Sequence, residues 1–168
     1  GAILSILESA NYTCDLYTSP HCVKINERFI FSGKEIQDDE LIDLFQEVEK
    51  INNQKPLTLF EFYTAAFILK ASRSNSAVSI LENGLFSRGD ACSVFNKNLA
   101  SVITTIHEDH MEWLPKNKKN IDQIIFEKTS SLLNSKIIVS EQLNQEIMNK
   151  IEKSIKKNKS KKIFFKKD

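Results

Sequence analysis

The sequence predicts an α/β fold, a mostly parallel sheet flanked by helices, on three observations. Short β-rich runs alternate with longer segments whose apolar residues recur at helical spacing. The helical segments are long enough to serve as crossovers between parallel strands. No internal repeat or low-complexity linker breaks the 168 residues, a length that suits one domain.

The elements follow in order. Ile3, Leu4 and Leu7 sit at helical spacing, so residues 1–10 read as the tail of a helix whose start is missing. A short strand is expected at Thr13–Tyr17, then a turn at Thr18-Ser19-Pro20. Val23, Ile25, Phe29 and Phe31 fall on odd positions and predict an extended, half-buried segment ending at Ser32-Gly33. Leu41, Ile42, Phe45, Val48 and Ile51 outline an amphipathic helix opened by Asp38 and Asp39, acids suited to its positive N-terminal end. Thr58-Leu59-Phe60-Glu61 is a capping box, and the helix it starts reads as buried. Ala77–Leu81 and Leu99–Thr105 look like buried strands joined by a glycine-bearing loop from Glu82 to Asn98. A helix is expected near Asn120–Leu132, a strand at Lys136–Val139, and a helix capped by Ser140 whose apolar positions Leu143, Ile147, Ile151 and Ile155 repeat every four residues. Ile163-Phe164-Phe165 makes a last short strand.

Composition narrows the function classes. A hydrophobic fraction of 41% beside 27% charge is that of a globular chain, and no apolar run approaches the ~20 residues of a membrane span. The start lacks a basic-then-apolar signal, so the chain reads as cytoplasmic. Cys14, Cys22 and Cys92 form no CxxC and leave an odd count, which points to reduced thiols. Residues 150–168 hold nine lysines against Glu152 and Asp168, while the rest carries 14 basic and 20 acidic residues, a net of −6. That end reads as a solvated helix face and a lysine-guarded edge strand. It lacks the interleaved aromatics on which bases stack, so neither nucleic acid nor membrane is expected as a partner.

In a parallel sheet, ligands bind beyond the carboxyl ends of the strands. That rule singles out Thr18–His21, Glu82–Asp90 and Thr105–His110, each with oxygen or imidazole groups suited to a metal-phosphate site.

Those segments carry a resemblance. Tyr17-Thr18-Ser19-Pro20-His21 with Asn26-Glu27-Arg28, Leu57–Phe62 with Thr64–Phe67, Leu81–Ala91, Ser101–Thr104 with Asp109–Leu114, and Glu127-Lys128 resemble the ordered elements of the folylpolyglutamate synthase/dihydrofolate synthase family of Mur-type ligases. The resemblance implies a P-loop (Mur ligase-type) ATPase fold. It also implies an ATP- and magnesium-dependent ligase joining L-glutamate to folate or dihydropteroate through an acyl phosphate. Ser19, Glu82 and His110 would then be metal-associated, and Lys128 the lysine that becomes carbamylated. Arg88 and Asp90 would shape the loop after Glu82, and His21 and Arg28 would serve the folate side. Glu61 could contribute to the site, although the capping box also accounts for it.

Some family features are not matched. No GxxxxGK[ST] phosphate loop occurs in the 168 residues, Phe86-Ser87 stand where the family has paired glycines, and His107 replaces the glycine before the Asp-His pair. The expectation is a single partial central ligase domain, without its Walker A loop and C-terminal domain and inactive alone. The alternatives are a non-catalytic folate- or metal-binding remnant and one part of a split ligase, with a partner polypeptide supplying the missing segments.

Overall fold

The computed structural model describes residues 1–95, 97–132 and 135–165. It is a mixed α/β structure in two compact units, residues 1–84 and 85–168. Among the described residues three of the five strand pairings are parallel, and the strands fall into two sheets.

The first unit runs α1 (Ala2–Ser9), β1 (Cys14–Tyr17), a 3-10 turn (Ile25–Arg28), β2 (Phe29–Phe31), β3 (Lys34–Glu35), α2 (Asp38–Asn52), α3 (Leu59–Ala71) and β4 (Val78–Leu81). Its sheet has the order β3-β2-β1-β4, with β1 parallel to β4 and the other pairs antiparallel. Ser32 and Gly33 join β2 to β3 at φ of 50° and 75°. Two consecutive positive φ angles are the two-residue hairpin geometry that matches strand twist. All four residues of β1 are buried. Tyr17 stacks on Phe67 with centroids 5.3 Å apart, Phe67 stacks on Phe31 at 5.3 Å, and Phe29 meets Phe45 edge-on at 5.9 Å. This aromatic layer fixes α2 and α3 against the sheet.

The second unit contains a 3-10 turn (Ala91–Val94), β5 (Ala100–Ile103), a 3-10 turn (Met111–Trp113), α4 (Ile121–Thr129), β6 (Lys136–Val139), α5 (Gln145–Ser154) and β7 (Lys162–Phe164). The order β5-β6-β7 is wholly parallel, each strand reaching the next through a helix. Ile103, Ile124, Ile125, Ile137, Val139, Met148 and Ile151 form its core.

Four expectations are corrected. The segment from Val23 is extended only over Phe29–Phe31; Ile25–Arg28 is a 3-10 turn and Val23 is 87% exposed. Glu27 causes this, because its carboxylate gathers the preceding amides into a turn. In α2 the inward stripe is Leu41, Leu44 and Val48, whereas Ile42 and Ile51 are 53% and 63% exposed. Strands β4 and β5 are less buried than expected, and Leu99 is exposed and lies outside β5. Helix α5 is capped by Asn144 rather than Ser140: its side chain accepts from the Ile147 amide, and Leu143 is left outside. Asn96 of the 82–98 loop, and Lys166, Lys167 and Asp168 of the lysine-rich end, lie outside the described residues. Among the described residues no helix is long and apolar enough to cross a membrane.

Candidate functional site

The parallel register pairs Tyr17 with Leu81, so β1 and β4 release the chain side by side at their carboxyl ends. Thr18-Ser19 leaves one strand and Glu82 the other. The Glu82 carboxylate accepts from the Thr18 hydroxyl and, at 2.9 Å, from the Ser19 amide. The Glu82 amide donates to the Tyr17 carbonyl at 2.9 Å. Ser19 and Glu82 are thus brought together, around a carboxylate that sequence spacing alone left undecided between a ligand and a solvated strand end.

The Ser19–Pro20 peptide bond is cis, and the chain then reaches His21. Arg28 Nε donates to His21 Nδ1 at 2.8 Å, and the Arg28 guanidinium lies 5.7 Å from the Tyr63 ring centroid. Between them Glu27 accepts from the amides of Cys22, Val23 and Lys24 at 2.7, 2.9 and 2.9 Å. Those amides, Cys22 foremost, hold the Glu27 carboxyl below its ordinary range. Glu61 accepts from the Thr58 amide at 2.7 Å while its own amide donates to the Thr58 hydroxyl at 3.2 Å. The helix cap therefore accounts for its position, and Thr58 lowers its pKa.

In the second unit Glu127, buried on α4, receives Arg88 through Nε and Nη2 at 2.6 and 2.9 Å, with Gln123 adding 2.8 Å. Arg88 is the main reason its carboxyl titrates below the ordinary value. The amides of Ser87 and Arg88 also donate to the Glu127 carbonyl, at 3.0 and 3.1 Å. The loop after Gly84 is thereby tied to α4 by backbone and side chain alike. Asp90 caps the following turn by accepting from the Cys92 amide at 2.8 Å.

Tying that loop down sets the surroundings of Lys128. Its ammonium donates to the Leu85 carbonyl at 3.3 Å, lies 3.7 Å from Asp109 Oδ1 and 5.9 Å from the Phe86 ring centroid. His110 Nε2 is 3.8 Å from Asp109 Oδ2, and Phe86 meets the imidazole edge-on at 6.1 Å. His110 itself has φ 56°, a left-handed backbone uncommon in non-glycine residues, among which asparagine, aspartate and histidine adopt it most readily.

The sequence-predicted site residues thus divide between the units: Ser19, His21, Arg28, Glu61 and Glu82 in the first, and Arg88, Asp90, His110 and Lys128 in the second. Thr18 and Asp109 lie in segments that sequence reasoning singled out, and Phe86 was noted there only as replacing a glycine. Glu27, Tyr63 and Glu127 were given no role, because they act through backbone amides or through partners distant in sequence. Among the described residues no three of His, Cys, Asp and Glu come together as a metal cage. Magnesium does not demand one, since it is commonly held by one or two carboxylates with waters and substrate phosphates. The Glu82 carboxylate beside the Thr18 hydroxyl offers oxygen donors of that kind.

The fold matches E. coli FolC solved in complex with DHPP and ADP, with a TM-score of 0.81 and 28% identity over 95% of this chain and 37% of that one. Apo L. casei FPGS matches with a TM-score of 0.81 over 97% of this chain and 40% of that one, at 22% identity, a likeness of fold. These neighbours define the class: a Mur ligase-type α/β protein. Dihydrofolate synthase/folylpolyglutamate synthase from Buchnera aphidicola (subsp. Acyrthosiphon pisum) is 36% identical over 116 residues, 69% of this chain and 28% of the relative. The E. coli enzyme of the same name is 34% identical over 117 residues, again 28% of its length. The chain belongs to the folylpolyglutamate synthase/dihydrofolate synthase family, and it spans less than a third of these curated relatives. No family model matches it.

Proposed function

We propose that the chain carries part of the site of an ATP-dependent ligase that adds L-glutamate to folate or dihydropteroate in the cytoplasm, and that these 168 residues alone do not turn over. Both units would belong to one central ATP-binding ligase domain. The observation that carries the reading is the Glu82 carboxylate gathering Thr18 and Ser19 at the carboxyl ends of parallel β1 and β4. The names of the relatives supply the reaction class.

In this reading Ser19 and Glu82 hold magnesium, which when bound neutralises charge on phosphoryl oxygens, and His110 keeps the metal-associated role that the resemblance implies. Lys128 is the lysine that becomes carbamylated. Arg88 fixes the loop beside it through Glu127, and Asp90 fixes the turn that follows. His21 and Arg28 orient the folate carboxylate, Arg28 by its guanidinium fork. Glu61 contributes by anchoring α3 through its cap.

Turnover needs backbone amides around the ATP phosphates, and no phosphate-loop pattern occurs in these residues. Loss of even one donor from a comparable preorganised set costs about 2.7–4 kcal/mol of transition-state stabilisation. Incubated with ATP, magnesium, L-glutamate and either dihydropteroate or a reduced folate, the chain is expected to release no ADP above background. Multiple turnovers would refute the inactivity.

One observation favours a second reading, a non-catalytic folate- or metal-binding protein. Phe86, standing where the family has glycine, meets His110 edge-on and lies beside the Lys128 ammonium, where a glycine would leave room for a backbone to approach a ligand. Saturable folate binding without nucleotide binding, measured by calorimetry, would favour this reading. A split ligase, with its remaining parts on a partner polypeptide, is expected instead to gain turnover when those parts are added.

A further inference from the structure

Asp15 lies in the middle of β1 and is fully buried. Its Oδ1 accepts from the Ser32 amide at 3.0 Å, the Ser74 hydroxyl at 3.1 Å and the Ser76 hydroxyl at 2.7 Å. Its Oδ2 is equally buried and has no hydrogen-bond partner. Among the described residues no lysine, arginine or histidine forms an ion pair with it. The nearby bases are engaged elsewhere: Lys70 pairs with Glu40, and Arg73 pairs with Glu47 through two hydrogen bonds of 2.8 and 2.6 Å.

A buried carboxylate without a counter-charge is among the costliest arrangements a core can hold. A buried polar atom without a partner in a well-formed interior marks a place where water or an ion belongs. The chemistry of the surroundings chooses between them. The Ser32, Ser74 and Ser76 hydroxyls contact one another, with oxygen–oxygen separations of 3.1 Å for Ser32–Ser76 and 3.1 Å for Ser74–Ser76. Each hydroxyl has one proton and two lone pairs, so donating to a neighbour leaves oxygen density for a cation. A water would satisfy Oδ2 but leave the charge uncompensated. A divalent ion would bring twice the charge of the single carboxylate. Ser32 and Ser74 also line a solvent-open cavity of about 430 Å³.

We propose that Asp15 Oδ2, with the hydroxyls of Ser32, Ser74 and Ser76, binds a monovalent alkali cation, Na+ or K+. The site is independent of the ligase reading: it lies at β1 within the first unit and uses none of the residues assigned to that reaction.

The test is the thermal midpoint of the full chain at fixed ionic strength and pH, with choline replaced stepwise by Na+ or K+. A cation that binds only the folded chain raises the midpoint by a few degrees as its concentration passes its dissociation constant. Asp15→Asn is expected to flatten that response while retaining the Oδ1-side hydrogen bonds. Should this variant fail to fold, Ser76→Ala and broadening of the 23Na resonance by the unaltered chain read the same site. Equal midpoints in choline, Na+ and K+ with no 23Na broadening would overturn the proposal in favour of a proton or a water. A response that persists in Asp15→Asn would place the ion elsewhere and also overturn it. A larger response to magnesium or calcium than to either alkali ion would refute the monovalent assignment.

Discussion

At Glu127 a buried carboxylate is offset by one guanidinium and one amide, and the sign of its titration follows from that pairing. Arg88 lowers its pKa in the folded chain, so the pair contributes stability that is fully present above the ordinary carboxylate value of about 4.3. That contribution is lost as pH falls through the lowered folded value. Arg88→Gln removes the charge while keeping much of the side-chain bulk. Burial then opposes ionisation of Glu127 with less to offset it, so acid destabilisation begins at higher pH than in the unaltered chain. Urea midpoints from pH 7 down to pH 3 measure this, and parallel profiles for the two proteins would contradict it. The same pair ties the 85–90 loop to α4, so the variant is expected to loosen the surroundings of Lys128 too, visible as faster exchange of the backbone amides at positions 87 and 88.

Among the elements, helix ends give the sharpest comparison between what the sequence indicates and what the fold does. The Thr58–Glu61 box was legible because both its partners lie within four residues, and it forms as expected. Thr58→Ala is expected to cost about 1 kcal/mol in a denaturant titration, and Thr58→Ser close to nothing. For α5 the sequence reading took Ser140 as the cap, although Asn144 is of an equally good capping type. The buried positions Met148 and Ile151 place the helix start after Leu143, which selects Asn144. Asn144→Ala should therefore cost about 1 kcal/mol and Ser140→Ala less than about 0.5 kcal/mol. The reverse order would mean that the helix begins earlier. Helix α2 shows the other limit of sequence reading. Its period was clear, but whether Ile42 or Leu44 turns inward depends on the aromatic layer it meets, and Phe45, Phe29 and Tyr63 are far apart in the chain. The site divides in the same way. Ser19 and Glu82 follow from the rule of parallel strand ends, whereas Phe86 and Glu127 matter through neighbours about 24 and 39 residues away that no spacing announces.

For the whole molecule, a net charge of +1 conceals two opposed halves. Residues 1–84 carry seven basic and twelve acidic side chains, and residues 85–168 sixteen basic and ten acidic. Acids crowd α2, where Asp38, Asp39, Glu40, Asp43, Glu47 and Glu49 share fifteen residues, and bases crowd the segment from Lys150 onward. A near-zero net charge gives little mutual repulsion between copies, while the opposed halves let the acidic part of one attract the basic part of another. Such attraction acts over about one Debye length, roughly 30 Å at 0.01 M salt but only about 8 Å at 0.15 M. Sedimentation velocity should therefore show concentration-dependent association at low ionic strength that disappears at physiological salt. Replacing Asp38, Asp39 and Asp43 by asparagine removes three acids from one face of the attraction and should abolish the low-salt species. Association that survives high salt, or that the triple variant leaves unchanged, would instead point to apolar contacts. The exposed Ile42 and Ile51 on the same helix would then be the first residues to replace.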